Sequence, residues 1–544
     1  MMAQKAKHFV LMGVLSAAVW FTACGKESGG GGGGGSGKPK PVGEAFALAQ
    51  KSTRVPSRFL MAVGYLESRL SPENAQATYL SIGKEDQSLT RGTVMTQTAF
   101  GKTFEDLGLD PLKEESALLE TQIAAYSKWV QPQIEGLGLA SDPKTDEEKY
   151  QWVMNLAQLQ RKSLKQQRRN VQIIFARELI DILNNGFVWQ DPRSGERIEL
   201  KAEKKPLDVM NLSPDAQAWF DLTELDADFY IATYLPLITV PTGDFENKPK
   251  RIEVIHCPLS LSGCLELQSR MMDGDPALGE YVHLGAHYII PPDNKLFTKV
   301  IQVADHNEPM IITDAEGENV PVDDAIVVML AGHSGRNVLG ERQPAIPTWF
   351  SSQQLGLMGQ LADDICTLLA RKDPENVAYE TCKSTDTQKG VRFRHQGESE
   401  EYRWGDIPDF DPSIFDAYLR SPGGLGTEVA FEFSKGKRQF SAGKSIPLTI
   451  LFNSTAKSVH LERLARCPDG KVVWEQVRNQ QVRGERKITF KETYFDSGPN
   501  RNGDQFFRAR VYGKDSLLIG WAIDQVFLNK FEPDIAWASE KDCE

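Results

Sequence analysis

His256, His395 and Asp411 are the residues of this 544-residue chain whose types most directly offer chemistry. His256 stands near the end of the run RIEVIHC (251–257), in which Ile252, Val254 and Ile255 favour a pleated strand, and Cys257 and Pro258 follow it. A β-branched apolar run that ends in a histidine aims an imidazole at a cleft. Far downstream, the stretch 391–419 presents His395 and then Asp411. Two imidazoles and a carboxylate, with one position left for water, make the ligand set of a catalytic zinc ion. Each residue also has a plainer reading. A histidine at a strand end is commonly a hydrogen-bonded structural residue, and Asp411 before Pro412 starts a turn.

A separate candidate is Glu67. The segment 57–70 carries Phe59, Leu60, Val63, Leu66 and Leu70 at the spacing of a buried helix face, with Glu67 near its end. A single carboxyl group at such a place serves as a general acid if an apolar pocket raises its pKa. Charged residues also decorate most surface helices, so Glu67 alone proves little.

The elements that must position these groups fall into three blocks. Helical runs follow at 115–131, 147–165 and 170–185, separated by Asp110-Pro111 and Asp142-Pro143. The proline-rich stretch from 201 to 249 reads as a connecting region with one short helix near 213–221. After His256, 258–270 reads as a loop, and 286–290 and 296–303 as two strands joined by a turn. The apolar run 325–330 reads as a strand buried on both faces, and 351–372 as an amphipathic helix. Strands alternating with a helix indicate an α/β layer. Beyond 426, seven short alternating strands between turn residues indicate a β-sandwich, with Trp474 and Trp521 among the aromatics expected in its core. The fold class is therefore multidomain α+β.

The ends and the composition bound the setting. Lys5 and Lys7 precede an apolar segment from Phe9 to Trp20, the pattern of a secretory signal over 1–23. Phe21-Thr22-Ala23-Cys24 resembles the bacterial lipobox, which implies a lipid anchor on Cys24. Gly25 after it implies an outer-membrane lipoprotein of the cell envelope facing the periplasm. The glycine-rich stretch 24–40 then serves as a tether. Without residues 1–23 the chain has 60 basic against 74 acidic residues, a net charge of −14, which argues against nucleic acid as a partner. Six cysteines remain after Cys24. Their order suggests Cys257 with Cys264, Cys366 with Cys382 and Cys467 with Cys543, one of fifteen connectivities.

Two family resemblances give these residues roles. The segment 54–75, with its helix ending in Glu67-Ser68, resembles the opening of lytic transglycosylase domains. VMTQ (94–97), Lys102-Thr103-Phe104 and Leu107-Gly108 follow in the family's order. That implies a lysozyme-like all-α domain over 41–200, with Glu67 as the acid that protonates the glycosidic oxygen of peptidoglycan.

The segment 250–422 resembles the zinc-dependent N-acetylmuramoyl-L-alanine amidases, the fold shared with peptidoglycan-recognition proteins. Ile255-His256, His287-Tyr288, Ala304-Asp305-His306, the strand 325–330, a helix entered by Gln353 or Gln354, His395, and Asp411-Pro412 before Phe415-Asp416 fall in the family's order. The resemblance implies Zn2+ held by His256, His395 and Asp411. It also implies hydrolysis of the amide between N-acetylmuramic acid and L-alanine of the stem peptide. Met329 stands where the family has a glutamate, and no basic residue directly precedes Asp411. The base then falls to Glu341, Asp409 or His333, and His306 is expected to line the substrate groove or stabilise the oxyanion. The catalytic candidates are thus Glu67, His306 and Glu341, and 426–544 is an accessory β-sandwich. Two alternatives stay open: a transglycosylase alone, and a non-catalytic peptidoglycan-binding envelope lipoprotein.

Overall fold

A computed structural model describes residues 41–70, 98–190, 196–235, 247–272, 285–332, 350–393 and 412–529, except for a few short stretches inside these ranges. The leader, Cys24 and the tether lie outside the described residues. Among the described residues no helix is long and apolar enough to cross a membrane. The chain has an α+β fold.

The first part is helical: α1 (Val42–Thr53), α2 (Ser57–Ser68), α3 (Leu119–Ile134), α4 (Asp146–Gln160) and α5 (Arg168–Asn185). Thr145 and Glu148 form a reciprocal capping box at the start of α4, satisfying two of the backbone N–H groups that a helix start leaves open. Phe59, Trp152, Phe175 and their neighbours make one core, which an antiparallel hairpin of β1 (Phe187–Gln190) and β2 (Arg197–Leu200) closes with Ile198 and Leu200.

The region expected only to connect contributes more than α6 (Pro214–Trp219). It also supplies β3 (Ala232–Tyr234), an edge strand of the central sheet. That sheet continues with β4 (Arg251–Cys257), β5 (Tyr288–Ile290), β6 (Val300–Gln302), β9 (Ala325–Ala331) and β10 (Val391–Phe393), in the order β10-β4-β9-β5-β6-β3. β7 (Met310–Thr313) and β8 (Asn319–Val322) form a separate hairpin. β10, β4, β9 and β5 are parallel, whereas β6 runs antiparallel to β5.

Helix α7 (Leu261–Met272) takes up most of the stretch 258–270 read as loop and runs two residues beyond it. Its serines and glycine resemble a loop in composition but occupy the helix start. There Ser260 Oγ accepts from Gly263 N–H at 3.1 Å, and Leu261, Cys264 and Leu265 are fully buried. The long helix α8 (Ser352–Lys372) matches its expected span, and α9 (Tyr379–Cys382) and α10 (Pro412–Arg420) follow.

The alternation of β4 and β9 sorts their side chains to two faces. Ile255, Cys257, Val327 and Met329 pack toward α7 together with Val171 and Ile174 of α5. Ile252, Val254, Val328 and Leu330 pack toward α8 and α10. The helical part and the sheet thus share a core. Disulfides Cys257–Cys264 and Cys366–Cys382 form as expected. Cys467 is disulfide-bonded too, while Cys543 lies outside the described residues.

The C-terminal part has a three-stranded sheet of β11 (Val429–Glu432), β13 (Ser445–Phe452) and β16 (Lys487–Thr493). Its second sheet has five strands: β12 (Gln439–Ser441), β14 (Ser458–Arg466), β15 (Val472–Gln481), β17 (Asp504–Tyr512) and β18 (Leu518–Asn529). Ile446, Leu448, Leu461, Phe507 and Val526 from both sheets share one core. Two tryptophans expected in that core lie elsewhere. Trp521 packs with the α8-side core and donates to Tyr418 Oη at 2.8 Å, and Trp474 lies under the Arg508 guanidinium.

Candidate functional site

In an open parallel sheet, ligands bind beyond the carboxyl ends of strands at the point where connections leave in opposite directions. Here that point lies between β4 and β9. β4 leads through α7 on one face to β5, and β9 leads through α8 on the other face to β10.

His256 sits there, fully buried, paired in register with Leu330 and edge-on to Phe350. Its Nε2 is 2.9 Å from the carbonyl oxygen of Gly332. A carbonyl only accepts, so Nε2 carries the proton and the imidazole lone pair lies on Nδ1. A metal-ligating histidine is usually held in this way, with its other ring N–H tied to a backbone carbonyl. In that respect His256 fits zinc. Gly332 has φ +152°, which glycine adopts most readily, as the chain leaves β9.

β10 lies beside β4, with Phe393 opposite Val254. Phe393 precedes His395 by two residues, as Val254 precedes His256, and α10 starts at Pro412, directly after Asp411. His395, Asp411 and Glu341 lie outside the described residues, as do Asp409 and His333. Among the described residues no group of three or more His, Cys, Asp or Glu side chains is arranged to hold a metal.

Gln354 is the glutamine that enters the site region. Its Nε2 donates to Ala331 O at 2.7 Å and Ile290 O at 3.2 Å, tying α8 to the ends of β9 and β5. Gln354→Leu keeps the bulk but withdraws this donor from two buried carbonyls. It is expected to cost about 1–3 kcal/mol in urea unfolding; an unchanged midpoint would show that the contact contributes nothing.

His306 is not brought to this edge. Because β6 returns antiparallel to β5, its end runs back to where the parallel strands begin. The His306 carbonyl and that of Ala325 both accept from Asn247 Nδ2, at 2.8 and 3.1 Å. Ala325 pairs with Arg251, five residues before His256, which is about 16 Å along the strand at about 3.3 Å per residue. His306, expected to line the groove or stabilise the oxyanion, is thus placed in a different cluster from His256. Its Nε2 lies 2.6 Å from Tyr288 Oη and 3.2 Å from Asp228 Oδ2. Burial lowers its pKa, against the pull of Asp228.

His287 is structural. Its Nδ1 accepts from Val327 N–H and its Nε2 donates to Glu308 O, both at 2.9 Å. Burial above all pushes its pKa down to about 3, with His306 adding to the effect. The fold thus favours the neutral ring. Its contribution to stability is complete above pH 6.5 and is lost as the pH falls toward 3, because the unfolded chain takes up the proton first. Urea unfolding at pH 7 and pH 4.5 should show this loss, with a local slope of up to about 1.4 kcal/mol per pH unit. His287→Gln should flatten the dependence; a variant with the same acid sensitivity would assign it to other groups.

Glu67 ends α2 as expected, and Ser68 Oγ donates to Ala99 O at 2.9 Å. Its carboxylate does not lie in an apolar pocket. Arg161 Nη1 donates to Oε1 at 2.9 Å, Nη2 to Oε2 at 3.3 Å, and Gln160 Nε2 to Oε1 at 3.0 Å. Gly101, at φ +65°, closes over it so tightly that a Cβ there would lie 2.8 Å from Oε2. Both carboxylate oxygens are thus taken up by donors from the end of α4, rather than left in the apolar pocket a general acid would occupy.

Arg161, 1% exposed, also meets Glu266 of α7 at 2.9 Å. Burial works to lower its pKa, and Glu67 and Glu266 more than offset this, so the guanidinium stays charged. Sequence reasoning passed over Arg161 and Glu178. Both sit in helical stretches rich in charge, and only their burial distinguishes them from surface residues. Met329 lies in the α7-side core with no exposed surface, on the face of the sheet opposite that of His256.

Comparison with known proteins gave no match: neither a protein-family profile nor a curated relative aligns with this chain.

Proposed function

We propose that this protein is a zinc-dependent peptidoglycan amidase that cleaves the bond between N-acetylmuramic acid and the L-alanine of the stem peptide. The observation that carries the proposal is the parallel pairing of β4 and β10, the strands that precede His256 and His395 in sequence, with β4 also flanking the topological switch of the sheet. His256, His395 and Asp411 would hold the metal. When bound, zinc lowers the pKa of water and polarises the scissile carbonyl. His256 supplies an imidazole fixed by Gly332, with the Phe350 ring edge-on to it and Gln354 tying α8 to the end of β9 beside it. The base is Glu341 in this reading. Disulfides Cys257–Cys264 and Cys366–Cys382 fit an oxidising envelope, with the chain tethered to the membrane at Cys24.

Glu67 has no part in this hydrolysis, and its ion pair with Arg161 favours a structural role for it over a second, glycan-cleaving activity. A second reading, a peptidoglycan-binding protein without catalysis, draws on Met329, because the family's carboxylate position holds a buried thioether. Metal analysis and digestion of purified sacculi separate the two. One zinc per chain and free stem peptides support the amidase. No zinc with wall binding retained supports the binding protein, and anhydro-muramic ends would return Glu67 to catalysis.

A further inference from the structure

The helical part grips the start of α7 through a buried polar chain. Glu178 of α5, 4% exposed, accepts from Leu261 N–H at 2.8 Å, Ser262 N–H at 3.1 Å and Ser262 Oγ at 2.6 Å. It thereby fills the positive end of that helix. Arg161 Nη2 donates to the same Ser262 Oγ at 3.3 Å, and Nη1 pairs with Glu266 one turn on. Between these anchors Cys264 is bonded to Cys257, the residue directly after His256.

We propose that Glu178 and Arg161 are positioning residues for His256. They clamp the first turns of α7, and the Cys257–Cys264 bond transmits that rigidity to the end of β4. The helical part then serves the sheet as a fixed brace. The proposal rests on the reading of His256 as a metal ligand, and the chain of contacts explains why two ionisable groups are buried so far from solvent. Removing either anchor frees the helix start, and the imidazole then samples orientations in which the metal is held less well.

The test compares wild type, Glu178→Ala and the Cys257→Ser/Cys264→Ser variant, alone and combined, in the full chain under conditions where each is folded by circular dichroism. Zinc affinity is measured by chelator competition, with hydrogen exchange of the peptide spanning His256 as a second readout. Glu178→Ala should weaken zinc binding about 10–100-fold, the range for groups that orient a ligand. The cysteine variant should do the same, and the combination should add little to either. Exchange of the His256 peptide should rise in step. Glu178→Gln, which keeps an acceptor, should recover part of the loss, and it replaces the alanine variant if that does not fold.

Unchanged affinity and exchange in a folded Glu178 variant would overturn the proposal, as would fully additive effects. If wild type binds no zinc, the amidase reading fails. Exchange at His256 then decides the brace on its own: faster exchange in the Glu178 variant supports it and unchanged exchange overturns it.

Discussion

His256→Ala is expected to abolish release of stem peptides from sacculi, by about 10^3-fold or more, and to empty the site of zinc. The magnitude exceeds the 10–100-fold typical of residues that merely orient a ligand, because a first ligand is lost outright. Stability should fall much less, by about 1–3 kcal/mol, because the change leaves the Gly332 carbonyl without its donor and a small void beside Phe350. Activity, zinc content and urea midpoint measured on one preparation distinguish this from simple unfolding. His306→Ala is the matched control. Its ring sits with Tyr288 and Asp228 near the opposite edge of the sheet, so zinc content and product ratio should match wild type even if the variant is less stable. A fully active His256→Ala protein would remove the proposed metal site. Loss of zinc in His306→Ala would mean that the sheet edges have been assigned to the wrong roles.

The second large effect is on stability. Arg161→Met keeps the length of the side chain but removes the guanidinium that Glu67 and Glu266 share. Breaking a buried pair by deleting one partner typically costs about 3–5 kcal/mol, because the remaining charge stays desolvated. Here two carboxylates are affected, so the upper part of that range is expected, read as a fall in urea midpoint. Glu67→Gln should cost less, since Arg161 keeps Glu266 and the amide retains a hydrogen-bonding oxygen. If Glu67 were instead a general acid kept neutral by its pocket, Glu67→Gln would stop glycan cleavage with hardly any change in stability. The two outcomes differ in both stability and cleavage, so one pair of variants decides between brace and acid.

Much of the fold was legible in local pattern. The three-and-four spacing of Phe59, Leu60, Val63 and Leu66, the apolar run 325–330 and the stripe of α8 each identify an element that must bury one face. The pairing of Cys257 with Cys264 follows from nearness in sequence. α7 was missed because Ser260, Ser262 and Gly263 resemble a turn in composition. The helix start is completed by Glu178, far away in sequence, which accepts from Leu261 and Ser262 N–H, while Gly263 N–H goes to Ser260 Oγ.

By itself, the sequence determined the α+β character, the acidic balance, the long helices and the strand that delivers His256. Those properties depend on side-chain type and short-range periodicity. Tertiary structure alone decided that His306 lies apart from His256 and that Glu67 is ion-paired. His306 lies away from His256 because β6 runs antiparallel, and Glu67 is occupied because α4 ends with Arg161 beside it. Both outcomes depend on strand direction and on contacts between residues remote in sequence, and neither leaves a local trace in the chain.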